Sequence, residues 1–215
     1  MQPGGRAWWR WTIPGGGALV LVAAFLHPPT FDPTAAEPVW LAAATAPRAW
    51  MADHVLVAFG LGIWTLGLLH WVWMVLPPSS TMSWRAWIAA ALTTALSLWL
   101  TALTVELTSL PLTAAVDQVP AWFAGLWPAV LGLGYLGAVL QWLALALVAA
   151  ALRARHDPPS RRLGFWGLLS VPPGWAAMIA AWYVPAWATW LLAIGLAPAT
   201  AWLLLTVFRL PSSPH

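Results

Sequence analysis

A series of long apolar runs, separated by short polar segments, constrains this chain more than any other feature of its sequence. A helix needs about 20 mostly apolar residues to cross the hydrocarbon core of a bilayer. The runs predict an all-α, polytopic transmembrane bundle of six helices that forms a single domain over residues 1–215. We expect these helices at approximately residues 11–27, 50–76, 87–109, 122–152, 163–183 and 186–208.

The composition indicates lipid, not water, as the surroundings of these runs. Charged residues make up 7% of the chain and hydrophobic residues 61%, whereas about 25% of residues are charged in an ordinary soluble domain. A soluble chain of this composition would expose large apolar patches and aggregate. Lys and Asn are both absent, which is typical of a GC-rich genome, so we expect the chain in a bacterial cytoplasmic (inner) membrane.

The arginines predict the orientation of the six helices. Cytoplasmic loops of membrane proteins carry an excess of basic residues. With six spans and a cytoplasmic N-terminus, eight of the nine arginines fall on the cytoplasmic side and only Arg48 falls outside. Both termini are then cytoplasmic. Arg6 and Arg10 precede the first run as in a signal peptide, but no small-residue cleavage site follows, so we interpret this run as a retained helix. The eight arginines are Arg6, Arg10, Arg85, Arg153, Arg155, Arg161, Arg162 and Arg209.

Missing residue types exclude several classes of function. The chain has no cysteine, which excludes disulfides, iron–sulfur clusters and thiolate metal sites. It has no lysine, which excludes a Schiff base with retinal or pyridoxal phosphate. The arginines are scattered at the ends of apolar runs and form no basic patch, so nucleic acid is not an expected partner. The 20 tryptophans are typical of anchoring at the membrane interfaces.

Ionisable groups at one membrane depth give the candidate site. His27 ends the first predicted helix, His54 lies near the start of the second, and Glu106 lies near the end of the third. Consecutive antiparallel helices usually pack together, so these side chains could converge near the outer surface. Imidazole and carboxylate ligands suit a single transition metal, with Asp53 orienting His54 from behind. Alternatively, His27 and His54 could hold haem b or a pigment, or the group could be a structural polar network.

Two further polar residues lie within the predicted spans. His70 follows His54 by sixteen residues, a rotation of about 160° that points the two side chains to nearly opposite helix faces. That spacing disagrees with a two-haem cytochrome helix, and His70 is expected at the inner interface. Gln141 is expected to hydrogen-bond across helices.

Part of the chain resembles a group of known sequences. The segments are Leu26-His27-Pro28-Pro29, a short acidic loop with Asp32-Pro33, and then residues 48–54 with Trp50 and His54. They resemble uncharacterised small multi-pass membrane proteins of GC-rich bacteria, which pair His-Pro at the end of helix 1 with W-x-x-x-H at the start of helix 2. The resemblance covers roughly residues 15–75. It implies an outer-face role for His27 and His54 and brings no known activity.

Three functional hypotheses follow. The favoured one is an integral membrane subunit of a larger electron-transfer or energy-converting complex, with other membrane subunits as partners and a haem or pigment on His27 and His54. Very short loops favour it, because they leave little soluble surface for independent catalysis. The second is a stand-alone metalloenzyme with a site at His27, His54 and Glu106. The third is a small transporter that uses a break at Pro172-Pro173-Gly174 in the fifth helix.

Overall fold

The computed structural model describes residues 8–27, 31–76, 84–113 and 119–210, and these residues form α-helices and short connections without a β-strand. The predicted all-α class is therefore confirmed. Arg6 lies outside the described residues. The α-helices are α1 (Thr12–Leu26), α2 (Ala36–Thr45), α3 (Pro47–Val75), α4 (Trp84–Thr113), α5 (Ala121–Arg153), α6 (Pro158–Ser170), α7 (Pro172–Tyr183) and α8 (Ala188–Arg209).

Five helical segments in the described part of the chain are long and apolar enough to cross a membrane. They are Pro47–Val75, Trp84–Thr108, Ala121–Arg153, Pro158–Tyr183 and Pro185–Arg209. The apolar helix α1 has 15 residues, a length of about 22 Å, and a 3₁₀ turn at Trp8–Trp11 precedes it. A multi-pass membrane protein is the class that these segments support.

The fifth predicted helix, expected at about residues 163–183 with Pro172-Pro173-Gly174 inside it, is longer in the structure and consists of two parts. The helix begins at Pro158, where Asp157 caps the first turn by accepting a hydrogen bond from the Ser160 backbone N–H. It then divides at Val171 into α6 and α7, because Pro172 has no N–H to continue the backbone ladder. Val171 keeps right-handed helical dihedral angles, so the interruption is a kink within one apolar segment.

Close packing holds neighbouring helices together through small residues. A β-carbon built on Gly16 of α1 would lie 2.5 Å from the Trp64 backbone nitrogen of α3, and one built on Gly60 would lie 2.8 Å from the Gly16 carbonyl oxygen. In the same way, Gly137 of α5 receives the Trp99 indole of α4. Without a hydrophobic effect between helices in lipid, such backbone approach provides the association energy.

The segment between α1 and α3 is not a simple loop, contrary to expectation. It contains α2, whose buried side chains include Val39, Trp40 and Ala43. These pack with Trp50 of α3 and Trp127 of α5 in an apolar cluster at one end of the bundle. The Trp127 indole N–H also donates to the Asp32 carbonyl oxygen at 2.8 Å. This cluster supports the bundle end at which α1 finishes and α3 begins.

Candidate metal centre

Three helix ends bring the predicted ligands together. His27 is the C-cap of α1, where its extended backbone still donates to the Ala23 carbonyl oxygen at 2.8 Å. His54 lies in the second turn of α3, and Glu106 lies in the last third of α4. The structure thus joins side chains that are 27 and 52 residues apart in sequence.

The donor atoms of these three side chains converge on one point. The Nε2 atoms of His27 and His54 are 3.4 Å apart, and His54 Nε2 is 2.5 Å from Glu106 Oε2. One ligand atom from each of the three residues lies within 4.8 Å of the others. Bonds of about 2.0–2.1 Å to a tetrahedral ion place two ligand atoms about 3.3–3.4 Å apart, a separation that the two imidazoles already have. His54 Nε2 and Glu106 Oε2 are at hydrogen-bond distance, so the Glu106 carboxylate would have to move away by about 0.8 Å to bind the same ion.

The other nitrogen of His54 is held by its own helix. Nδ1 lies 2.7 Å from the Trp50 carbonyl oxygen and 2.5 Å from Asp53 Oδ1. A carbonyl oxygen only accepts hydrogen bonds, so Nδ1 carries the proton and donates. Nε2 lies 2.5 Å from Glu106 Oε2, a distance at which two lone pairs would repel, so without a metal Nε2 also carries a proton and donates it to that carboxylate. A bound ion would replace this proton and leave a neutral ring that offers its Nε2 lone pair. A ring N–H donated to a carboxylate or carbonyl is the usual arrangement behind a metal-binding histidine.

Trp50 covers both imidazoles. Its ring centre is 4.4 Å from that of His54 and 5.1 Å from that of His27. The indole N–H donates to the Glu106 carbonyl oxygen at 3.2 Å, which ties the start of α3 to α4. Sequence analysis assigned Trp50 to interfacial anchoring and to the W-x-x-x-H motif. The four-residue spacing to His54 was the signal for this contact, because residues i and i+4 share a helix face.

Burial and charge together make this site costly without a cation. Asp53 and His54 are 4% and 1% exposed, and the Glu106 side chain is 14% exposed. In the described structure both carboxylates pair with His54, and neither pairs with an arginine. Two carboxylates removed from water strongly favour any bound positive charge.

The remaining predicted polar residues lie elsewhere. His70 is exposed, about 24 Å along α3 from His54, and does not join the cluster. Gln141 of α5 accepts a hydrogen bond from the Trp99 indole of α4 at 3.2 Å, between two helices that pack closely. The structure therefore brings His27, His54, Glu106 and Asp53 together and leaves His70 and Gln141 outside the site.

Comparisons with known proteins add no family to this geometry. No protein-family model matches the chain, and neither the curated proteins nor the solved structures that were searched give a match.

Proposed function

We propose that this membrane protein binds one divalent transition-metal ion through His27 Nε2, His54 Nε2 and Glu106 Oε2, and that it acts as a metalloenzyme. The observation that supports the proposal is the convergence of three donors from three helices, with the opposite nitrogen of His54 tied to Asp53. In the described residues this set supplies three ligands. A fourth position then remains for water or substrate, as in catalytic zinc sites.

Charge balance favours an ion over protons at this position. A divalent ion, two neutral imidazoles and the carboxylates of Asp53 and Glu106 sum to zero net charge. Without the ion, a protonated His54 balances only one of the two carboxylates, and a second imidazolium at His27 would place two charged rings with their Nε2 atoms 3.4 Å apart, where like charges repel. Two nitrogens and one oxygen suit zinc, with iron, cobalt and manganese as competitors. Such an ion would supply a Lewis acid that activates a bound water.

The ring geometry favours a single ion over a haem between the two histidines. Axial imidazoles on opposite faces of a haem place their ring centres about 6 Å apart, with the macrocycle between them. The His27 and His54 ring centres are 4.9 Å apart and their planes are inclined by 50°. Two ligands of a tetrahedral ion would place these centres about 5 Å apart. The haem or pigment, the electron-transfer complex and its other subunits stay predictions from the sequence.

We also propose six spans with both termini in the cytoplasm of a bacterium, so that the metal centre faces outwards. The five long segments and α1 together support this count. Several arginines bond to backbone carbonyls at helix ends: Arg10 to Leu210, Arg85 to Leu76, and Arg155 to Val75. A bundle end rich in arginine favours the cytoplasmic side.

Elemental analysis of the purified protein tests the metal proposal. We expect close to one equivalent of zinc or a competing ion after dialysis, and loss of that ion in His27→Ala, His54→Ala and Glu106→Gln. His70→Ala is the matched control, because it removes an exposed histidine from the helix that carries His54. Substoichiometric metal in the wild type, or equal metal content in His54→Ala and His70→Ala, would refute the proposal.

A further inference from the structure

A cationic cavity lies where α5 ends and α6 begins. It has a volume of about 310 Å³ and is lined by Arg153, Arg161, Arg162, Phe165, Trp166 and Pro158. The three arginines are exposed. The Arg153 guanidinium lies 5.7 Å from the centre of the Phe165 ring, a cation–π contact that holds it beside the cavity.

The positive charge of this cavity is not neutralised by the neighbouring acid. Asp157 binds Arg155 Nε at 2.8 Å and caps α6 through the Ser160 N–H at 3.0 Å. In the described part of the chain, Arg153, Arg161 and Arg162 form no ion pair. Three guanidinium groups therefore face the cavity with their donors available for an anion, and arginine recognises phosphate oxygens with two parallel N–H bonds.

The surroundings of the cavity identify an amphiphilic ligand. It sits at the start of the apolar segment Pro158–Tyr183, where a helix enters the headgroup layer. Trp166, which lines the cavity, and Leu169, about one turn further along α6, are 62% and 53% exposed, so the surface that continues from the arginines towards the bilayer centre is apolar. A free anion would contact only the arginines, whereas a phospholipid would contact the arginines with its headgroup and the apolar surface with its acyl chains.

We propose that Arg153, Arg161 and Arg162 bind the phosphate headgroup of an anionic phospholipid, whose acyl chains lie against Trp166 and Leu169. Basic clusters beside a membrane helix attract anionic lipids by about 1 kcal/mol for each arginine. Removing two of the three arginines should therefore weaken lipid binding on the order of thirtyfold. The site is separate from the metal centre and does not depend on it.

Native mass spectrometry of the full chain in detergent tests this proposal with phosphatidylglycerol and phosphatidylcholine as probes. We expect one tightly retained phosphatidylglycerol in the wild type and about thirtyfold weaker retention in R161Q/R162Q. R48Q/R209Q is the control, since it removes the same charge from exposed positions outside the cavity and should bind within threefold of the wild type.

Several results would overturn the proposal. One is equal weakening in the two double variants, which would mean that net charge alone attracts the lipid. Another is equally tight retention of phosphatidylcholine. A third is displacement of the lipid by millimolar inorganic phosphate, which would identify the site as one for a soluble anion.

Discussion

The two ends of the helix bundle handle charge in opposite ways. At the end where α3 begins, His54 and Asp53 are buried at 1% and 4% exposure and contact one another directly. At the end where α3 finishes, Arg85 and Arg155 reach the backbone carbonyls of Leu76 and Val75. At the first end, an acidic and a basic side chain contact each other in a buried position. At the second end, the arginines are separate from one another and lie at the partly exposed ends of helices.

This difference follows from what each set of groups can bind. Arginines at helix C-termini satisfy carbonyls that lack a helical partner, and they interact favourably with the helix dipole. These arginines do not have to be buried, and phosphate groups of lipids can accept hydrogen bonds from their remaining N–H groups. The buried carboxylate of Asp53 and the mostly buried carboxylate of Glu106 have little access to water, so their stability depends on the positive charge that His54 or a bound cation brings to them. We call the bundle end with His54 and Asp53 the histidine end, and the end with Arg85 and Arg155 the arginine end. A single substitution should therefore lower the stability of the protein strongly at the histidine end and only slightly at the arginine end.

The largest expected effect is on stability at the histidine end. In metal-free protein, His54→Leu should lower the free energy of unfolding by about 3–5 kcal/mol, because it leaves the Asp53 and Glu106 carboxylates buried without a counter-charge. Unfolding by denaturant in detergent micelles measures it. Arg155→Leu, at the other end, should cost about 1 kcal/mol.

A rescue experiment separates this charge effect from loss of packing. Adding Asp53→Asn and Glu106→Gln to His54→Leu should restore most of the lost stability, because no uncompensated charge then remains. If the triple variant is no more stable than His54→Leu, the contrast between the two ends does not arise from buried charge.

Metal affinity should respond to the residue behind His54. Asp53→Asn replaces a carboxylate that accepts the Nδ1 proton at 2.5 Å, and loss of such a partner typically weakens metal binding 10–100-fold. Competition with a chelator of known affinity measures the change. Asp32→Asn is the control, since Asp32 interacts with Thr34 and lies outside the site. Equal affinities in both variants would contradict the orienting role of Asp53.

The apolar runs predicted the helices well, because the bilayer fixes both their length and their composition. The helix α2 was missed for the converse reason. Its ten residues, Ala36–Thr45, are too few to span, and their helical state depends on packing against Trp127 and Trp50. Those contacts join distant parts of the chain, so local sequence carries little information about them.

The sequence likewise predicted some features of the candidate site and not others. Shared membrane depth was enough to group His27, His54 and Glu106, because depth follows from counting residues along each helix. The side on which each imidazole nitrogen lies depends on helix rotation and on the Asp53 contact, which spacing does not determine. The W-x-x-x-H spacing could place Trp50 on the same helix face as His54, but it carried no information about His27. The position of Trp50 over both imidazoles required the close approach of α1 to α3.

A smaller effect is expected for the residue that joins the site to α4. Trp50→Phe keeps an aromatic ring over the imidazoles but removes the N–H that binds the Glu106 carbonyl oxygen at 3.2 Å. Losing this hydrogen bond should cost about 1 kcal/mol of stability, because the Glu106 carbonyl oxygen lies inside α4 and keeps its helical partner. Trp122→Phe, which alters a tryptophan that is 49% exposed, should cost at most about 0.5 kcal/mol, as is usual for surface substitutions. Equal losses in thermal unfolding would show that Trp50 acts through bulk alone.

The smallest effect is expected at the arginine end, in the cap of α6. Burial raises the pKa of Asp157, but hydrogen bonds from Ser160 and Arg155 outweigh it and lower the pKa below its ordinary value of 3.8. A lowered pKa means that the ionised carboxylate stabilises the fold above pH 3.8 and that this contribution is lost as the pH falls through the folded-state pKa. Asp157→Ala should therefore cost about 1 kcal/mol at neutral pH and less at lower pH. Asp157→Asn, which keeps a capping oxygen, should cost only about a few tenths. Thermal unfolding at a series of pH values from 7 downwards measures the stability of the wild type and of both variants. A loss in Asp157→Ala as large as that in His54→Leu would remove the contrast between the two ends, since it would give one exposed cap the energetic weight of the buried cluster.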